Sequence, residues 1–180
     1  MKKYLFILAC TLGLFSARAQ DVFQPVQKAS GYYVLQDLTK VENDLLPVQI
    51  VTPKVEAEEI EFHMPRIIPG TYDVHNYGRF VKNIKALTAD GAELPIDSVS
   101  INRWKISDAK KLYKISYQVE DSYDFATNTG IFEPAGTSHE DSVFLLNNFG
   151  YIGYLEGRDN EEFELNIRKP KGFYGATALQ

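Results

Sequence analysis

The chain has one cysteine in its 180 residues, Cys10, so no disulfide can close within it. Histidine is also scarce: His63, His75 and His139 are the only three. A zinc-binding helix of the His-Glu-x-x-His kind needs two histidines four apart, on one helical face. "HEDSV", residues 139–143, supplies the first two letters and then puts Val143 where the second histidine must stand. No Gly-x-Ser-x-Gly elbow occurs, and the Ser138-His139 neighbour pair says nothing about a triad, which is assembled from distant segments. "DSYDFATNTG" lacks the spacing and the terminal glutamate of a calcium loop. No catalytic and no metal-binding residue is therefore assigned, and no cofactor is expected in this chain. Basic runs are missing too, which excludes a phosphate-backbone binder and makes nucleic acid an unexpected partner.

Long apolar runs are confined to the N-terminus. Lys2 and Lys3 lead an apolar stretch from Tyr4 to Phe15, and "SARA" then offers Ala17 and Ala19 in an A-x-A cleavage pattern. Residues 1–19 read as a secretory signal peptide, too short to span a bilayer. "ILAC" resembles a lipobox, but only six apolar residues precede Cys10 and the run continues past it, so cleavage is preferred to acylation. Nothing later approaches a membrane span. The expected product is exported, periplasmic or secreted, with one domain over residues 20–180. Loss of Lys2, Lys3 and Arg18 leaves 16 basic against 24 acidic residues, moving the formal charge from −5 to −8.

What the domain does have is period-two alternation. "YKISYQVE" sets Tyr113, Ile115, Tyr117 and Val119 on one face, and "EFELNIR" does the same with Phe163, Leu165 and Ile167. "IEFHM" and "PVQIVT" follow the pattern, and Asp90-Gly91 marks a hairpin turn. Such strands have one face in a core and one in water. The fold class is all-β: an antiparallel β-sandwich of eight or more short strands, with at most a helical turn near Asp108–Leu112. Residues 121–141 read as a long irregular connection, of the kind that is usually functional or mobile. Tyr and Phe number 11 each. Tyr32, Tyr33, Tyr72, Tyr77, Tyr123, Tyr151 and Tyr154 fall at predicted strand ends or loops, where they either staple the core or stack on a ligand.

One stretch stands apart. In "FHMPRIIPGTYDVHNYGRFV", Phe62 to Val81, two prolines bracket Ile67 and Ile68, and Tyr72, His75, Tyr77 and Arg79 crowd behind Gly70. Pro65 and Pro69 cannot donate ladder hydrogen bonds, so the segment ends its strand and forms a stiff arch. The arch is either a contact face or a corner of the sandwich's own core; in the first case its apolar side chains are exposed.

The continuation, "FHMPRIIPGTYDVHNYGRFVKNIKALTADGAELPI", with "YYVLQDL", "NRWKIS", "YKISYQVE" and "NNFGYIGYLEG", resembles the N-terminal domain of the glycyl aminopeptidase family of zinc metallopeptidases, metallopeptidase family 61. Ile67 stands where members commonly carry an aromatic residue. The resemblance implies a β-rich domain preceding a thermolysin-like catalytic domain and usually a PDZ domain, with zinc held by that downstream domain. It implies a non-catalytic role: packing beside the catalytic domain, its partner in the same polypeptide, and bordering a cleft for peptide substrates. Ile67, Ile68, Tyr72, Tyr77 and Arg79 are the candidate interdomain or substrate-bordering residues. The terminal "RKPKGFYGATAL" resembles the lead toward the catalytic domain, so the chain is expected to be the front part of something longer. The alternative is a stand-alone exported module binding carbohydrate or peptide through its aromatics.

Overall fold

The computed structural model describes residues 23–71, 73–123, 131, 135–140 and 142–178. The expected signal peptide and Tyr72 therefore lie outside the described residues. Among the described residues, twelve strands account for nearly all regular structure: β1 (Tyr32–Asp37), β2 (Leu45–Val51), β3 (Glu59–His63), β4 (Val81–Leu87), β5 (Glu93–Leu94), β6 (Ile96–Ser100), β7 (Arg103–Ser107), β8 (Lys114–Glu120), β9 (Ser138–Glu140), β10 (Val143–Leu145), β11 (Tyr154–Leu155) and β12 (Phe163–Arg168). The one α-helix described, α1, is a single turn over Asn148–Tyr151. The larger sheet runs β12-β1-β2-β8-β4-β5, the smaller β11-β3-β7-β6, and β9 and β10 form a separate hairpin.

Alternation puts the apolar faces of both sheets into one core. In β8, Ile115, Tyr117 and Val119 are buried while Lys114, Ser116, Gln118 and Glu120 between them are half-exposed. β2 answers across the ladder with Ile50 opposite Ile115, Val48 opposite Tyr117 and Leu46 opposite Val119, all buried. The two sheets meet where the rings of Phe62 in β3 and Tyr117 in β8 lie 5.7 Å apart. Burying a large apolar side chain is worth about 1.5–3 kcal/mol, so these rows dominate the stability of the fold. The Asp-Gly turn joins β4 to β5, with Gly91 at φ +89° and Thr88 bonded to the Ala92 carbonyl. The expected turn near Asp108 is a 3₁₀ turn over Ala109–Lys111.

Two features depart from the reading of the sequence. β1 and β12 pair in parallel, Tyr32 facing Phe163 and Gln36 facing Ile167, so the larger sheet is mixed. Alternation reports which face is buried and carries no strand direction. The long connection after β8 also ends in a strand: β9 covers residues 138–140 and pairs with β10. A three-residue strand is too short to show a period.

Candidate functional site

The arch grows out of β3. Met64 closes the strand by donating its N–H to the Asn102 carbonyl at 2.9 Å, and Pro65 then stops the ladder. The carbonyls of Pro65 and Arg66 accept the N–H groups of Tyr77, His75 and Asn76 at 3.0–3.2 Å, so the two ends of the arch are sewn together. At its tip the Ile68 carbonyl accepts both the N–H and the hydroxyl of Thr71, and Gly70 turns the chain at φ +91°. Because the Thr71 hydroxyl is used as a donor there, it accepts from His75 Nε2 at 2.9 Å. Asn76 takes the left-handed conformation, φ 53°, and its side chain accepts from Asn102 Nδ2 at 2.8 Å.

This construction divides the candidate residues. Ile68 and Tyr77 lie in the core, 9% and 1% exposed, and support the arch from behind; the expectation that they form its outer face is corrected on this point. Tyr77 donates its hydroxyl to the Ala135 carbonyl at 2.7 Å, and burial pushes its phenol well above the ordinary value. Arg79 lies over the ring of Phe80, 4.7 Å from its centre. Ile67 is the outward one, 49% exposed. Phe149, 50% exposed on α1, and Ile152 line the same groove as Ile67. Tyr154 and two residues of β12, Phe163 and Leu165, complete the apolar lining of this groove of about 670 Å³. Arg66 and Asp159 supply its charged lining. Leu165 and Asn148 are shared with a second cavity of about 490 Å³ that continues past Ile167 under the segment after β12. The row Phe163, Leu165, Ile167 is thus partly open, while its neighbours in β1, Tyr32 and Val34, are fully buried.

Phe149 and Ile152 escaped the reading of the sequence. Their segment, "NNFGYIGYLEG", carries the resemblance, but nothing in its pattern distinguishes the exposed Phe149 from the fully buried Tyr151 beside it. Tyr32, Tyr77 and Tyr151 are likewise core residues, so three of the tyrosines placed at strand ends are stapling the sandwich.

The histidines are engaged separately. His63 pairs with Glu61 at 2.9 Å, and Glu156 lies close enough for ligand atoms of the three to fall within 4.8 Å of one another. Arg103 already grips both oxygens of Glu61, at 2.7 and 2.9 Å, and with His63 holds that carboxyl down to about 2. A cation would have to displace a guanidinium, so the cluster is an ion-pair network that does not fit a zinc ion. His139 is buried: its Nε2 accepts from the Tyr151 hydroxyl at 2.6 Å, its Nδ1 donates to the Asp44 carbonyl at 3.1 Å, and its backbone N–H donates to Asp121 at 2.6 Å. Those bonds pin β9 to the ends of β2 and β8.

Residues 34–180 match the model of the Peptidase M61 N-terminal domain family. The chain belongs to this family. Among curated proteins none matches the chain. The M61 N-terminal domain is also similar in structure to an aminopeptidase N family protein from Idiomarina loihiensis, known from a crystal structure. The TM-score is 0.64 at 21% identity, covering 78% of this chain and 22% of that one. At such identity the likeness is one of fold. The M61 N-terminal domain spans about a fifth of the length of that relative.

Proposed function

We propose that the chain is a non-catalytic N-terminal domain of an exported, glycyl-aminopeptidase-like zinc metallopeptidase. It packs beside the catalytic domain through the face built by the arch, α1 and β12, and helps to border the peptide cleft. The observation that carries this reading is the groove: a mainly apolar, half-open surface on which Ile67 and Phe149 are both about half exposed. Contiguous exposed apolar surface of this kind marks an interaction site. Ile67 and Phe149 both line the groove, and a neighbour packed over it would bury both. The family's reaction needs zinc, a Lewis acid that activates water. The Glu61 carboxylate here is already gripped by Arg103, which supports assigning that chemistry to the catalytic domain, with this chain contributing wall and support. The stand-alone carbohydrate-binding alternative loses ground, because Tyr32, Tyr77 and Tyr151 are unavailable for stacking.

The test has two arms. The gene beyond Gln180 should encode a His-Glu-x-x-His segment; a stop codon there overturns the reading. Expressed in trans, that segment should bind the chain, and Ile67→Ser with Phe149→Ser should weaken binding at least tenfold, as expected for central apolar anchors. Unchanged binding would remove the groove from the interface.

A further inference from the structure

We propose that β12 is a self-complementary edge through which two copies of the chain pair, antiparallel and about a two-fold axis at Leu165. β12 is the last strand of the larger sheet, bonded on one side to β1 and on the other to no described strand. An edge of this kind presents a row of backbone donors and acceptors to any strand that fits it.

What fits is fixed by the side chains. In an antiparallel pair centred on one residue, each side chain meets a partner on the same face of the sheet. Centred on Leu165, the strand sets Leu165 against itself and Phe163 against Ile167 of the second copy. These are the half-open apolar row of β12. On the opposite face Glu164 meets Asn166, and Glu162 meets Arg168 of the second copy. Every pairing is apolar with apolar, acid with amide, or acid with base. Arg168 also reaches Asp37 of β1 at 3.7 Å, on the paired side of the strand, so in the dimer its guanidinium would be shared between Asp37 and Glu162 of the second copy.

Moving the centre to Asn166 would pair Glu164 with Arg168 but would leave Phe163 opposite Lys169. The Leu165 register is the one that satisfies both faces. It is isologous, as a closed dimer requires, and joins two six-stranded sheets into one of twelve. The pairing uses the strand's edge and is independent of what covers the groove.

Asn166 gives a test with two signs. Its side chain is exposed, and no hydrogen bond of it is described. Asn166→Glu places like charges opposite each other twice per dimer, and Asn166→Lys places opposite charges there twice. In sedimentation velocity of the chain at roughly 1–100 μM, a monomer–dimer equilibrium is expected. Asn166→Glu should raise its Kd about tenfold and Asn166→Lys should lower it several-fold, both effects shrinking at high salt. Unaltered melting of both variants at concentrations below the wild-type Kd shows that the monomer is intact. The proposal is overturned by a chain that stays monomeric across that range, by two variants that shift Kd in the same direction, or by self-association that ignores residue 166 and is abolished by Ile67→Ser, which would place the contact in the groove.

Discussion

The side-chain oxygen of Asn102 accepts the backbone N–H of Gly78 at 2.9 Å, at a point where a β-carbon on residue 78 would come within 2.0 Å of the Ile101 carbonyl oxygen. The turn between β6 and β7 is therefore pressed against the foot of the arch, with no room for a side chain between them. Gly78→Ala should destabilise the domain by about 1–3 kcal/mol or more through overpacking against backbone. Asn102→Ala should cost a similar amount, because it strands a buried N–H and frees the Asn76 side chain. Urea denaturation measures both; a midpoint unchanged in either variant would show that the arch foot relaxes.

Ile67 and Ile68 are adjacent in sequence and opposite in environment. Ile67→Ser removes an apolar group that is half in water, so stability should move by no more than about 0.5 kcal/mol. Ile68→Ser takes the same group from the core and leaves a hydroxyl there, at a cost of about 2–5 kcal/mol. Thermal melting of the two single variants separates them. Equal losses would mean that the two sides of the arch are not distinct.

Two titrations should divide the acid sensitivity of the fold. Burial lowers the pKa of His139 from the ordinary 6.5, against the weaker opposing influence of the Asp44 carbonyl, Asp121 and Asp44. The unfolded chain thus binds a proton that the folded chain resists, and the stability His139 contributes is complete above pH 6.5 and declines as pH falls below it. The Glu61 carboxyl, lowered to about 2 by Arg103 and then His63, contributes stability above about pH 4.5 that is lost toward pH 2. The denaturation midpoint should fall in two steps, and His139→Gln should remove the upper step while leaving the lower. A profile flat from pH 7 to 5 would show that the His139 site admits the proton without strain.

β8 was fully legible in the sequence, because a central strand in a sandwich is buried on one face and wet on the other along its whole length, and its letters say so. β12 shows the same alternation and is half-open, since the pattern records that Phe163, Leu165 and Ile167 are apolar and does not record whether anything covers them. The arch was legible from Pro65, Pro69 and Gly70, whose backbone limits are local. The fates of Ile68 and Tyr77 were not, because the Ala135 carbonyl that receives the tyrosine hydroxyl lies 58 residues away. The Glu61-Arg103 grip is likewise a cross-strand event, invisible until β3 and β7 are paired.

The parallel seam between β1 and β12 sets an order of events. Tyr32 in the first strand stacks on Phe163 in the last, with ring centres 4.3 Å apart, and bonds to the Arg158 carbonyl across 126 residues of sequence. No local hairpin can stand in for that contact, and loop closure over so long a span is a slow step. The larger sheet stays unfinished until the whole domain has been synthesised, and during that interval β1 carries an uncovered aromatic and an unpaired edge. The strand made last among those described is thus also the one that commits the larger sheet to its folded shape.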